Sequence, residues 1–514
     1  MKKLKIVGFS LAGVQLVLSV LVAYFAFSTK MVPTAYGIGL IVGLAILLGV
    51  VILLSTRKKK ATNITAIVIA AILSILYAIA SYYIYVTNKT IDDVTGVNVE
   101  VDEINVYVSK DDTAASINEA VANGYVFGTV STDDQQHIQE TVSKIEGDVS
   151  QTVNTREYET IFDLIAGFEN NEVQALIINK GTLYVLDASE EYIDYSQNLK
   201  IIMETMYEEE IVQEEESTSM DDDHFCVYFS GIDTFGSVTA KSRSDVNIIA
   251  VVNNQTKQAL LISTPRDYYV PLSNSKGKKD KLTHAGLYGI ECSMDTLEML
   301  YDADLSNYVR INFSGFQNII NQLGGIDVNS EYAFTSETEE GIYSFSKGIN
   351  HLNGEEALGF ARSRNFTDGD RQRGRNQMQV IKATIEKLES PETLKNYSNI
   401  MDSMEGSFQT DMSKDHIGYL VQSTLTDGNW EVLTYSVGGN DSTQTCYSTG
   451  STQLYVMVPN EDDITYANEL ISRVLSGDKV SQDEINVYIE NKDAEDLIDN
   501  SAVEQDGSEE DTEE

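Results

Sequence analysis

Residues 6–27, 36–54 and 64–86 are three apolar stretches without one formally charged side chain, and they restrict the fold more than any other feature. Each is about the ~20 residues an α-helix needs to cross ~30 Å of hydrocarbon, where every backbone polar group must be bonded within its own segment. They predict three transmembrane helices within residues 1–89. A cleaved signal peptide would not be followed by two further spans. Lys2, Lys3 and Lys5 precede the first span and Arg57, Lys58, Lys59 and Lys60 separate the second from the third, whereas the first loop has only Lys30. The positive-inside rule then makes a multi-pass cell-membrane protein with a cytoplasmic amino terminus, and puts everything after Val86 outside. Gly39 and Gly43 have a spacing compatible with close helix packing. One span suffices as an anchor, so the extra two point to membrane partners.

Charge divides the chain the same way. Residues 1–90 hold nine Lys or Arg and no acid; the other 27 basic and 79 acidic groups leave residues 91–514 at −52 within a total of −43. A polyanion of this size is a poor ligand for nucleic acid, whose phosphates dominate binding. Cys226, Cys292 and Cys446 are too few and too widely spaced for a disulfide framework or a zinc site.

Residues 90–220 read as a small α/β domain followed by an acidic linker. Residues 97–108 alternate as a half-buried strand, and 173–178 with 183–186 around Lys180-Gly181 predict a hairpin. Residues 131–145 and 158–168 have helical spacing, and His137, on a polar helix, reads as solvated. The acidic run 208–223 predicts the linker.

Residues 221–476 hold the chemistry. The apolar run 225–230 ends at Gly231-Ile232-Asp233, which sets Asp233 just past the carboxyl end of a buried strand, the edge where open α/β sheets place ligands. Residues 246–252 form a second buried strand entered through Arg243-Ser244-Asp245, with Arg243 and Asp245 on one face if the chain is extended. A third strand, 257–264, closes at Pro265-Arg266-Asp267. Asp233 and Asp245, brought together without histidines, suit a hard cation such as Mg²⁺, with Mn²⁺ an alternative. Lys281 and His284 follow in a basic loop; either could approach a phosphate, although His284 more simply caps the helix predicted from Gly286.

Five of the eleven arginines fall within residues 361–377, in an otherwise acidic protein. Guanidinium forks match phosphate or carboxylate oxygens two at a time, so the cluster reads as a site for a multiply charged anion or, more plainly, as an ion-pair network with Asp368 and Asp370. Residues 371–388 are amphipathic, and Arg373 and Gln377, at i and i+4, share a face near the helix amino end. Arg371 and Arg375 lie on other faces.

These residues carry a resemblance. Asp233, Arg243-x-Asp245, Pro265-Arg266-Asp267, the segment from Lys281 to Ala285, Gly324-Gly325-Ile326-Asp327-Val328, Leu352-Asn-Gly354-Glu-x-Ala357, Ala361-Arg362-x-Arg364 and Asp370-x-x-Arg373-x-x-x-Gln377 resemble the LytR-CpsA-Psr family of Gram-positive cell-wall proteins. The three spans and extra domain look like its streptococcal CpsA branch. The resemblance implies an α/β/α sandwich with a greasy channel for a polyprenyl tail. It implies an enzyme that moves a glycopolymer, such as capsular polysaccharide or teichoic acid, from an undecaprenyl-pyrophosphate carrier onto peptidoglycan, among capsule-assembly membrane proteins. By position, Asp233 and Asp245 would hold Mg²⁺, while Arg243, Arg266, Arg362, Arg364, Arg373 and Gln377, joined by Lys281, would grip the pyrophosphate. Asp370 would orient the arginines or assist proton transfer. The alternatives are a lipid-pyrophosphate hydrolase and a non-catalytic regulator or adaptor of capsule assembly.

Past residue 388, helical spacing at 391–404, 413–425 and 461–475 and strands at 430–437 and 453–458 complete the domain. Residues 477–514, rich in acids, read as a disordered tail. Within it, residues 483–489 nearly repeat residues 102–108, a pattern both segments share with ordinary strands.

Overall fold

The computed structural model describes residues 2–492 except 96–98, 133, 187–188, 190, 212–222, 233–236, 339–340, 364–365, 367–369, 389–396, 405 and 428–429. Asp233 and Arg364 therefore lie outside the described residues, as does the side chain of Asp370.

Three helices, Lys2–Ser28, Thr34–Thr56 and Lys60–Val94, are long and apolar enough to cross a membrane. Their outer faces carry exposed Val17, Ile46 and Ile75, whereas Ala12, Val51 and Ala70 meet inside. The Gly39 and Gly43 spacing, compatible with close packing, is not used for it: a Cβ at either would meet nothing within 4 Å. The third helix runs past its apolar stretch, and there Asn88 donates Nδ2 to the Phe25 carbonyl at 3.1 Å. Asp92 on that extension pairs with Lys414 at 2.7 Å, and Lys30 in the first loop pairs with Asp415 at 3.5 Å. The helix Lys414–Asp427 thus rests on one end of the helical bundle.

The first soluble unit is a mixed five-stranded sheet in the order Asn154–Tyr158, Val126–Val130, Ala175–Asn179, Val99–Ser109, Leu199–Glu210. Alternation along Val99–Ser109 sends Ile104, Val106 and Val108 into one core and Tyr107 into the other, so both faces carry helices. Two expectations change. No hairpin follows Asn179; its side chain accepts from Gly181 N at 2.9 Å and caps a short helix, Lys180–Leu183. Glu208, Glu209 and Glu210 belong to the last strand, paired with Val101, Glu100 and Val99, and not to a linker.

The second unit is an α/β/α sandwich. Its mixed six-stranded sheet runs Phe408–Thr410, Asn307–Asn312, His224–Ile232, Ser244–Asn253, Gln258–Thr264, Glu431–Ser436. Ile249, Val251, Leu260 and Ile262 pack on the helices Ile290–Tyr301 and Glu461–Ser476. Ile248, Ala250 and Leu261 face the other way, onto Met378 of the helix Asp370–Leu388.

The tail expected after Ser476 begins as a further helix over residues 482–492. Ile485 is fully buried, Tyr488 stacks on Tyr466 at 3.7 Å, and Glu484 and Lys492 pair with Arg473 and Asp463. The hexapeptide Asp-Glu-Ile-Asn-Val-Tyr is a strand at 102–107 and a helix at 483–488. Period-two packing buries Ile104 and Val106 in the first setting; in the second Ile485 and Tyr488, three apart, pack while Val487 is exposed.

At the junction of the two units His137 is buried, not solvated, and stacks on Tyr207 with ring centroids 4.3 Å apart. It sits with Asp102, Asp134 and Glu209, and Lys241 of the second unit places Nζ 2.7 Å from both Asp102 and Glu209. Burial pushes the Asp102 carboxyl up despite that ammonium. Lys241 thus supplies this acidic cluster with its counter-charge.

Candidate active site

The start of one strand, the end of the next and two helices meet at a cleft of about 300 Å³. Arg243 and Asp245 enter with the strand Ser244–Asn253, and Arg266 follows Gln258–Thr264 after Pro265. Arg373 and Gln377 come from one face of Asp370–Leu388, and Arg362 from the end of Gly354–Arg362. Asn353 and Glu356 form a capping box that fixes where this last helix starts. Gly374 lets its helix lie close on the sheet: a Cβ there would stand 2.7 Å from Ser263 Oγ and 3.0 Å from Ser436 Oγ.

Arg266 Nη1 donates to both oxygens of Asp245, at 2.7 and 2.8 Å. Burial works to raise the Asp245 carboxyl, but the guanidinium groups of Arg266, Arg243 and Arg373 hold it well below the usual carboxylate range. Asp245 therefore stays an anion and fixes Arg266. Arg362, exposed at the rim, lies over the Phe313 ring with Cζ 4.4 Å from the centroid. The rest of the wall is largely apolar: Val246, Ile311, Phe313, Phe316 and Leu358.

Six residues singled out from the sequence, Arg243, Asp245, Arg266, Arg362, Arg373 and Gln377, line this one cleft. Lys281 does not. It is buried against Asp267 at 2.9 Å, and Asp267 in turn lies 3.5 Å from Arg266 Nε, so Lys281 supports the site from behind. His284 is likewise interior, with Nδ1 2.7 Å from Asp280 and 3.1 Å from Ser448 Oγ. Arg371 donates to the Gly439 carbonyl at 2.8 Å and Arg375 to Gln372 at 3.0 Å, both on the far side of the helix. The apolar wall went unread in the sequence because its residues have the spacing of core positions.

A sequence model of the LytR_cpsA_psr family matches residues 192–464, more than half of the chain and all of this cleft. The chain belongs to that family. Among curated LytR_cpsA_psr relatives, it is 36% identical over 194 residues to the polyisoprenyl-teichoic acid–peptidoglycan teichoic acid transferase TagU of Enterococcus faecalis (strain V583), covering 37% of this chain and 62% of that protein. It is 34% identical over 205 residues to the transferase TagT of Bacillus subtilis (strain 168), covering 38% of this chain and 63% of the relative. The crystal structure of B. subtilis TagV aligns at 27% identity with a TM-score of 0.42, over 50% of this chain and 99% of that one.

Proposed function

We propose that this protein is a membrane-anchored transferase that moves a glycopolymer of the teichoic acid or capsular type from a polyprenyl-pyrophosphate carrier to peptidoglycan. The observation that carries the reading is a cleft with an arginine-rich end and an apolar wall, which matches a ligand with a doubly charged head and a hydrocarbon tail. The names of the TagU and TagT relatives give the same substrate pair. The apolar helices before the cleft would keep it near the bilayer that holds the carrier, and the lysine asymmetry supports a position on the outer side.

In the reaction a hydroxyl of the peptidoglycan glycan attacks the sugar-proximal phosphorus. A phosphodiester bond forms, the anhydride P–O bond breaks, polyprenyl phosphate leaves and the hydroxyl proton is released. Arg243, Arg266 and Arg373 line the cleft, and in this reading they would meet the negative charge that accumulates on the bridging and terminal oxygens. Asp245 holds Arg266 in place by accepting from it. The energy resides in the anhydride, so no nucleotide is required.

Asp245 is an ionised, oxygen-only donor beside the arginines, the kind of ligand Mg²⁺ or Mn²⁺ takes together with substrate phosphate. With Asp233, next in sequence to the strand end at Ile232, it would hold such an ion, which when bound supplies further charge neutralisation to the pyrophosphate.

The test is the full-length protein in proteoliposomes with lipid-linked oligosaccharide, peptidoglycan fragments and Mg²⁺. Wild type should join glycan to peptidoglycan, and Asp245→Ala and Arg373→Ala should each lose roughly 100-fold or more in kcat/KM. Free phosphorylated glycan as the sole product would mean hydrolysis to water. Capsule attachment in cells undiminished by Asp245→Ala would mean an adaptor.

A further inference from the structure

Contacts from the first soluble unit reach the backbone and side chains that build the cleft in the second. Val101 N donates to the Thr239 carbonyl at 2.9 Å and Lys241 N to the Val101 carbonyl at 3.2 Å, so the strand Val99–Ser109 grips the segment leading into Arg243. Glu100 is buried, accepts from Ile290 N at 3.0 Å and pairs with buried Arg310, next to Ile311 of the cleft wall.

A further contact touches a cleft arginine itself. Arg243 donates Nη1 to the Tyr184 carbonyl at 3.1 Å, and its Cζ stands 5.3 Å from the centroid of the Tyr184 ring. Tyr184 is the C-cap of Lys180–Leu183, so its carbonyl is among those a helix end leaves short of an intrahelical donor. A guanidinium within ~6 Å of a ring face is also attracted to it electrostatically. A side chain held before the ligand arrives loses less freedom on binding.

We propose that Tyr184 is a positioning residue for the transfer reaction, holding Arg243 where it meets the carrier pyrophosphate, so that the first soluble unit completes the active site of the second. This rests on the reading of the cleft as the pyrophosphate site. The ring and the carbonyl do the holding.

The experiment measures kcat and KM for lipid-linked oligosaccharide with full-length protein carrying Tyr184→Leu, Tyr184→Met or Tyr184→Phe, each alone and combined with Arg243→Ala. Tyr184→Leu and Tyr184→Met should raise KM about 3- to 10-fold, with kcat within about twofold of wild type. Tyr184→Phe, which keeps the ring, should match wild type. In the Arg243→Ala background the Leu and Met variants should add nothing further, because the group through which they act is gone. Should Tyr184→Leu not fold, Tyr184→Met, closer in bulk to the native side chain, carries the comparison. Unchanged KM in a folded variant, or the same loss with and without Arg243, overturns the proposal. If wild type binds and turns over the lipid and Arg243→Ala weakens it, such a result leaves the functional reading standing. A wild type that does not turn over the lipid removes that reading, and this inference with it.

Discussion

Single residues settle the character of the cleft, and Asp245 is the clearest case. Its folded carboxyl is held below the unfolded value, so the stability it contributes is fully present above about pH 4 and is lost as pH falls further, toward the folded value. The stability difference between wild type and Asp245→Asn, measured by urea unfolding, should therefore be constant from neutral pH to about pH 5 and shrink below about pH 4. A difference that changes between pH 5 and 7 would mean that Asp245 is not the buried anion described. The charged half of the site was legible in the sequence because charges at strand ends and at i and i+4 on a helix stand out against apolar runs. Lys281 was misread for the converse reason: its partner Asp267 is 14 residues away, and one sequence cannot show that a lysine folds inward onto an acid. Tyr184 left no signal, since one sequence cannot show that its ring and backbone carbonyl meet an arginine 59 residues away.

At the scale of elements, most strands and helices of the second unit follow from apolar runs and caps. The helix of residues 482–492 does not, because the same hexapeptide forms a strand elsewhere; tertiary burial of Ile485 and Tyr488 overrides a local pattern that suits either form. The turn before Ile290–Tyr301 is equally a matter of packing. A Cβ on Gly286 would lie 2.4 Å from the Ser242 carbonyl oxygen and 3.0 Å from Ser244 N, backbone atoms on either side of Arg243. Gly286→Ala should then destabilise the protein by about 1–3 kcal/mol in urea unfolding and raise KM for the lipid substrate, because the displaced backbone carries Arg243. A variant with wild-type stability and KM would show that this backbone shifts at little cost.

For the whole molecule, the membrane end was the most legible part, since a bilayer admits few solutions for three uncharged apolar stretches. Topology can be read with thiol reagents, because Cys226, Cys292 and Cys446 are buried and an introduced cysteine is labelled against a low background. In intact cells stripped of wall, Lys347→Cys should react with an impermeant maleimide and Lys59→Cys should not; the reverse pattern would invert the protein and separate the cleft from peptidoglycan. The account as a whole makes the cleft a device for moving one phosphorus atom. Its most direct test is a lipid-linked oligosaccharide labelled with ³²P at the sugar-proximal position, given to the full-length protein with peptidoglycan. The account requires the label to end in a phosphodiester on peptidoglycan while unlabelled polyprenyl monophosphate accumulates. Label left on the lipid as pyrophosphate while sugar moves, or released wholly as free phosphoglycan, would contradict it.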